Sequence, residues 1–121
     1  MDANRVVVLV VEDDDDLREY FQCILRQAGL EVRAAADGLQ ALRLLEQTRP
    51  HLIVLDLYLP HVSGGDLIAE LEASERLRGI PIVVVTGTQF TPDNTNVRFR
   101  LQKPVTADAL IGSIEQCTAQ L

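Results

Sequence analysis

Five side chains in this sequence could do chemistry together: the acidic pair Glu12-Asp13, a lone carboxylate at Asp56, the hydroxyl of Thr86 and the ammonium of Lys103. Each ends or follows an expected strand: Glu12 and Asp13 after the apolar run Val6 to Val11, Asp56 after Leu52 to Leu55, Thr86 after Ile82 to Val85, and Lys103 after the alternating run Val97 to Gln102. Three carboxylates brought together repel one another unless a cation or shared protons compensate. Oxygen-only ligands without Cys or His suit a hard ion, Mg2+ above all, which takes few carboxylates and retains waters. Lys103 offers a point charge to a phosphoryl oxygen, and the Thr86 hydroxyl can donate to a second one. In such a setting Asp56 can attack phosphorus and form an acyl phosphate, with charge stabilisation carrying most of the catalysis.

The elements that must position these groups read as short β-branched runs alternating with amphipathic stretches, which implies a parallel sheet with helices on both faces. Val6 to Val11, Leu52 to Leu55 and Ile82 to Val85 are continuously apolar, so they are expected as central strands covered on both sides. Glu31 to Ala35 is weaker, and Val97 to Gln102 alternates, so both are placed at the sheet edges. The first helix is expected to bury Leu17, Phe21, Ile24 and Ala28 and to stop at Gly29. Leu39, Leu42 and Leu45 are expected to line the second helix, and Leu67, Ile68 and Leu71 the third. The last, capped by Thr106 with Asp108 in its first turn, should bury Leu110, Ile114, Cys117 and Leu121. Right-handed crossovers make this a doubly wound α/β fold of five parallel strands. In such sheets ligands bind beyond the carboxyl ends of the strands, which is where four of the five expected strands deliver a charged or hydroxyl residue. Between Gly87 and Asn96, Thr, Pro, Asp and Asn leave almost nothing apolar to pack, so a helix there should be shortened or absent.

The 121 residues suit a single domain, 1–121, and 47% apolar content is enough for a continuous core. A net charge of −7 with scattered Lys and Arg argues against direct nucleic-acid binding. No apolar run approaches membrane-spanning length and the start lacks a signal-peptide core, so a cytoplasmic setting is expected. Cys23 and Cys117 lack metal-type spacing and are read as small buried hydrophobes. His51 and His61, single and near loops, are read as structural. Asp14, Asp15 and Asp16 read as acids favouring a helix N-terminus. Asp56 is different, because a carboxylate ending an apolar strand is costly without a partner.

Taken in order, Val-Leu-Val-Val-Glu-Asp-Asp at 8–14, Asp56 in Leu-Ile-Val-Leu-Asp-Leu, Pro60 and Gly64, Thr86 after Val-Val-Val, and Lys103-Pro104 resemble the receiver domains of bacterial two-component response regulators, along the whole chain. The resemblance implies a flavodoxin-like sheet of order 2-1-3-4-5. It implies Asp56 as phosphoacceptor, fed by a sensor histidine kinase or phosphotransfer protein, and Mg2+ held by Glu12, Asp13, Asp56 and the backbone carbonyl of Tyr58. Thr86 and Lys103 would hold the phosphoryl oxygens, the Lys103-Pro104 bond would be cis, and the protein would be a self-modifying phosphoacceptor, not an enzyme.

Two departures from the family pattern bear on output. The interval from Thr86 to Lys103 is short, and Arg100 stands where the family commonly carries an aromatic switch residue. Phe99 is adjacent, but neighbouring strand residues point to opposite faces. The alternative function is a pseudo-receiver, a protein-interaction module that is not phosphorylated. A hydrolase with an aspartyl-phosphate intermediate lacks a second acid two residues after Asp56, where Tyr58 sits.

Overall fold

The computed structural model describes residues 5–87 and 96–119. Along the chain the elements are β1 (Val7–Val11), α1 (Asp15–Gln27), β2 (Glu31–Ala35), α2 (Gly38–Gln47), β3 (Leu52–Asp56), α3 (Gly64–Ala73), β4 (Ile82–Thr86), β5 (Val97–Gln102) and α4 (Ala107–Thr118). All strand pairs are parallel, in the order β2-β1-β3-β4-β5. The two runs read as edge strands are the edges, and the three continuously apolar runs are the centre. The expectation of a shortened or absent helix between β4 and β5 falls on residues 88–95, outside the described residues, as does Leu121.

Strand alternation divides the interior into two layers. Leu9, Val11, Ile53, Leu55, Ile82 and Val84 meet Ala41, Leu45, Leu67, Ile68 and Leu71 of α2 and α3. Val8, Val10, Leu52, Val54, Val83 and Val85 meet Phe21 and Leu25 of α1 and Leu110 and Ile114 of α4. Sequential burial of such side chains contributes roughly 1.5–3 kcal/mol each before entropy is charged against it. The sheet is therefore a rigid frame sandwiched between two helical layers.

Helix ends follow local chemistry. Asp14, Asp37, Ser63 and Thr106 each accept a hydrogen bond from the backbone N–H three residues on, satisfying donors that a helix start leaves unpaired. The three acids Asp14 to Asp16 thus serve as the cap and first turn of α1. Gly29, at φ +88°, takes the left-handed conformation that ends α1.

Three helix-face expectations need correction. In α1 the buried pair is Phe21 and Leu25, with Leu17 and Ile24 flanking it, while Ala28 is exposed at the C-cap. Cys23, two residues from Phe21 and so on the far side of the helix, is exposed rather than buried. Cys117 is half-buried against the α1/α4 layer, and burial pushes its thiol pKa up, with Arg98 pulling the other way. In α2 the inward stripe is Gly38, Ala41 and Leu45, which turns Leu39 out to 43% exposure. Leucine content suggested the stripe, but helix phase sets it, and Gly38 is the residue that fits against Val62, where a Cβ would fall 2.5 Å from the Val62 Cβ.

Candidate functional site

Register alone brings the first two acids together. β1 pairs with β3 as Val8↔Leu52 through Val11↔Leu55, so the next residue on each strand, Glu12 and Asp56, meet at the carboxyl end of the sheet. Both share the alternation of the Val8/Val10 and Leu52/Val54 side chains, hence the same face. Asp13 lies one residue further, at the mouth. One carboxylate oxygen each from Glu12, Asp13 and Asp56 fall within 4.8 Å of one another. Glu12 and Asp56 are buried, at 1% and 4% exposure, and Asp13 is exposed.

Lys103 enters from β5. Its ammonium lies 3.2 Å from Asp56 Oδ2 as a hydrogen bond and 3.0 Å from Glu12 Oε1 as an ion pair. The second contact is off line for a hydrogen bond, leaving Glu12 Oε1 buried without an aligned donor. The other Glu12 oxygen accepts from the Asp14 N–H at 3.2 Å. Burial pushes the Glu12 pKa up to about 7, with the negative charge of Asp56 adding to it and the Asp14 N–H and Lys103 working against it. Partial burial disfavours the Lys103 charge, but the close contact with Glu12 and the negative charges of Asp56 and Glu12 outweigh it, and its pKa is raised. One ammonium therefore only part-neutralises three clustered acids.

Thr86 is buried at the end of β4, and its carbonyl accepts from the Lys103 N–H at 2.8 Å, so the two sit side by side on the rim. Tyr58 donates its N–H to Asp56 Oδ1 at 3.1 Å, while its ring is 61% exposed. The loop beyond Asp56 is clamped by Gly64, whose N–H donates to the Leu57 carbonyl at 2.9 Å. A Cβ on Gly64 would fall 2.5 Å from Leu57 Cα and 2.6 Å from the Asp56 carbonyl, so only glycine lets α3 start this close to the acid. The Lys103-Pro104 bond is cis. On β5, Phe99 packs inward and Arg100 lies on the exposed side, as strand alternation requires.

Glu12, Asp13, Asp56, Thr86 and Lys103 thus lie along one rim. Two contacts were not foreseen: the Asp14 N–H on Glu12, and Arg18, whose Nη1 donates to the Glu12 carbonyl at 3.0 Å. The spacing of Arg18 three residues after Asp15 signals only their ion pair, not the bond to the Glu12 carbonyl. His61 is exposed on the loop after β3, at φ +69°. His51 is structural, accepting from the Val7 N–H at 3.0 Å and donating its own N–H to the Val7 carbonyl at 2.8 Å.

Residues 8–115 match the response regulator receiver domain family, and the chain belongs to it. Members of this family are phosphoacceptors rather than enzymes acting on a separate substrate. The DNA-binding response regulator MtrA of Mycolicibacterium smegmatis is 40% identical over 93 residues, which cover 77% of this chain and 40% of that protein. The match therefore covers only about two fifths of the length of these mycobacterial relatives. The polar-differentiation response regulator DivK of Brucella anthropi is 31% identical over 113 residues, covering 89% of this chain and 92% of the relative. Among solved structures, the receiver domain of a sensor histidine kinase from Pseudomonas aeruginosa, with a magnesium ion coordinated in its active-site cleft, superimposes with a TM-score of 0.83 at 29% identity, covering 93% of this chain and 96% of that one. The chemotaxis response regulator CheY4 of Vibrio cholerae shares the fold, with a TM-score of 0.86 at 24% identity over 94% of this chain and 99% of that one. No helix among the described residues is long and apolar enough to cross a membrane.

Proposed function

We propose that residues 1–121 form one receiver domain in which Asp56 takes a phosphoryl group from the phosphohistidine of a sensor histidine kinase or phosphotransfer protein, beside a Mg2+ ion. The observation that carries this reading is the convergence of Glu12, Asp13 and Asp56 within 4.8 Å around a single lysine. The donor set fits the ion: all ligands are oxygens, one of them, Glu12 Oε1, is buried without an aligned donor, and local charge is in excess of acid. Asp13, Asp56, Glu12 and the Tyr58 carbonyl would hold it. When bound, the ion offsets charge on the transferring group.

In the transfer, a carboxylate oxygen of Asp56 attacks phosphorus, the P–N bond breaks, and the electron pair leaves on the donor imidazole. Lys103, already hydrogen-bonded to Asp56, turns to a phosphoryl oxygen, and the Thr86 hydroxyl donates to another. A cleft of about 370 Å³ elsewhere, at the α1–β2 turn, is far from this chemistry; the larger one, about 670 Å³, lies between Leu17 and Tyr20 of α1 and Lys103 to Val105. That larger cleft adjoins the acceptor and supports docking of the donor there. The setting is cytoplasmic, where such kinases present phosphohistidine, and with a charge of −7 the domain makes no direct nucleic-acid contact.

Incubation with Mg2+ and acetyl phosphate, read by intact-protein mass, tests the proposal. One phosphoryl group should appear, and none in EDTA or in Asp56→Asn. A protein that binds Mg2+ yet stays unlabelled by both acetyl phosphate and a phosphorylated kinase is the pseudo-receiver instead.

A further inference from the structure

Arg18 has no part in the chemistry above, yet its guanidinium reaches from α1 back into the turn carrying the acidic pair. Nη1 donates to the Glu12 carbonyl at 3.0 Å, and Nη2 meets Asp15 Oδ1 at 2.6 Å. The side chain is only 20% exposed, whereas that of Asp15 is 87% exposed. A helix-surface pair of this kind does little for stability by itself. What matters is the other arm. The Glu12 carbonyl belongs to the peptide that joins Glu12 to Asp13, so holding it fixes the plane from which the Asp13 side chain departs. Glu12 is then held at its carbonyl by Arg18, at one carboxylate oxygen by the Asp14 N–H, and at the other by the Lys103 charge. A planar guanidinium presents its donors in a rigid fork, so its two arms hold the Glu12 carbonyl and Asp15 in a fixed geometry that a freely rotating ammonium does not impose.

We propose that Arg18 is a positioning residue for the divalent cation, holding the Glu12–Asp13 peptide so that both carboxylates face Asp56. The inference rests on the reading of this pocket as a Mg2+ site. Its sign is decisive, because two effects oppose each other. A fixed cation near the pocket repels Mg2+, so an arginine that did nothing else would weaken binding, and its removal would tighten binding. A residue that orients ligands does the reverse: losing such support commonly costs about 10- to 100-fold in metal affinity.

The test is a Mg2+ titration of the metal-free full chain, followed through its backbone amide resonances, in the parent, Arg18→Met and Arg18→Lys. Both replacements are good helix formers, so α1 should persist. Arg18→Met is expected to raise the Kd for Mg2+ by about tenfold and to shift the Asp13 amide resonance already in EDTA. Arg18→Lys, which keeps the charge and loses the fork, should fall between that variant and the parent. A Kd unchanged or lowered in Arg18→Met, while the parent binds normally, overturns the inference. Should Arg18→Met lose helix content, Arg18→Lys decides: a parental Kd with an unmoved Asp13 resonance overturns it. Failure of the parent to bind Mg2+ sinks the metal reading itself, before any substitution is made.

Discussion

The two ends of the same parallel sheet handle their polar groups in opposite ways. At the amino end, His51 and Val7 exchange two hydrogen bonds, and Glu31 donates its N–H to Val6 while Ile53 donates to Pro81. Those groups are closed pairs, as expected of a frame whose only task is to hold strands in register. At the carboxyl end, Glu12 and Asp56 are buried beside Asp13 with one lysine between them, and a Glu12 oxygen lacks an aligned donor. The same strands therefore finish in a satisfied end and an electrostatically incomplete one. The incomplete end is where binding and chemistry are to be had.

The largest effect expected from breaking this contrast is Lys103→Met. Removing the sole ammonium leaves the acids without their organic counter-charge, and labelling by a small phosphodonor should fall by about a hundredfold. The metal-free fold should also lose on the order of 2 kcal/mol at pH 8, less than a fully buried pair because the Lys103 side chain is 27% exposed. Equal labelling in parent and variant would show that the ammonium is not used. Gly64→Ala comes next. Its Cβ would overlap Leu57 Cα and the Asp56 carbonyl, which are backbone atoms and cannot swing aside. A loss of about 2–3 kcal/mol in urea unfolding is expected, in the range of overpacked sites.

Glu12 sharpens the comparison through pH. Its folded pKa, about 7, exceeds the ordinary value of 4.5, so the folded state holds this proton more tightly than the unfolded chain does. The metal-free protein should therefore lose stability from this group as pH rises from about 4.5 to about 7, and Glu12→Gln should flatten that stretch of the profile. Mg2+ competes with the same proton, so its affinity should rise over that window and level off above it. Unfolding in EDTA across pH, parent against variant, measures this directly. The smallest effect belongs to the satisfied end: His51→Ala leaves the Val7 N–H without its acceptor and should cost about 1 kcal/mol. Labelling of Asp56 should be unchanged by it. Impaired labelling there would erase the distinction between the two ends.

Much of this was legible in the residues. A polar group that ends an apolar strand is a conflict visible without coordinates, and Glu12, Asp13, Asp56 and Thr86 announce themselves that way, while Lys103 follows the alternating edge strand. The edge strands were legible because alternation reports one wet face, and β2 and β5 span the residues expected of them. The helix faces were less so. Leu39 and Cys23 have apolar side chains, yet a helix stripe is set by phase, and Gly38-Ala41-Leu45 and Phe21-Leu25 take it. Arg18 on the Glu12 carbonyl was not legible either, because it depends on the path of the β1–α1 turn rather than on any residue pattern.

Most direct for the central claim is the position of the phosphoryl group itself. After reaction with Mg2+ and acetyl phosphate, the acyl phosphate can be trapped by borohydride reduction and located by peptide mass spectrometry. The account expects the modification at Asp56 and nowhere else. Trapping at Asp13, or a stable phosphohistidine at His51 or His61 in its place, would contradict it.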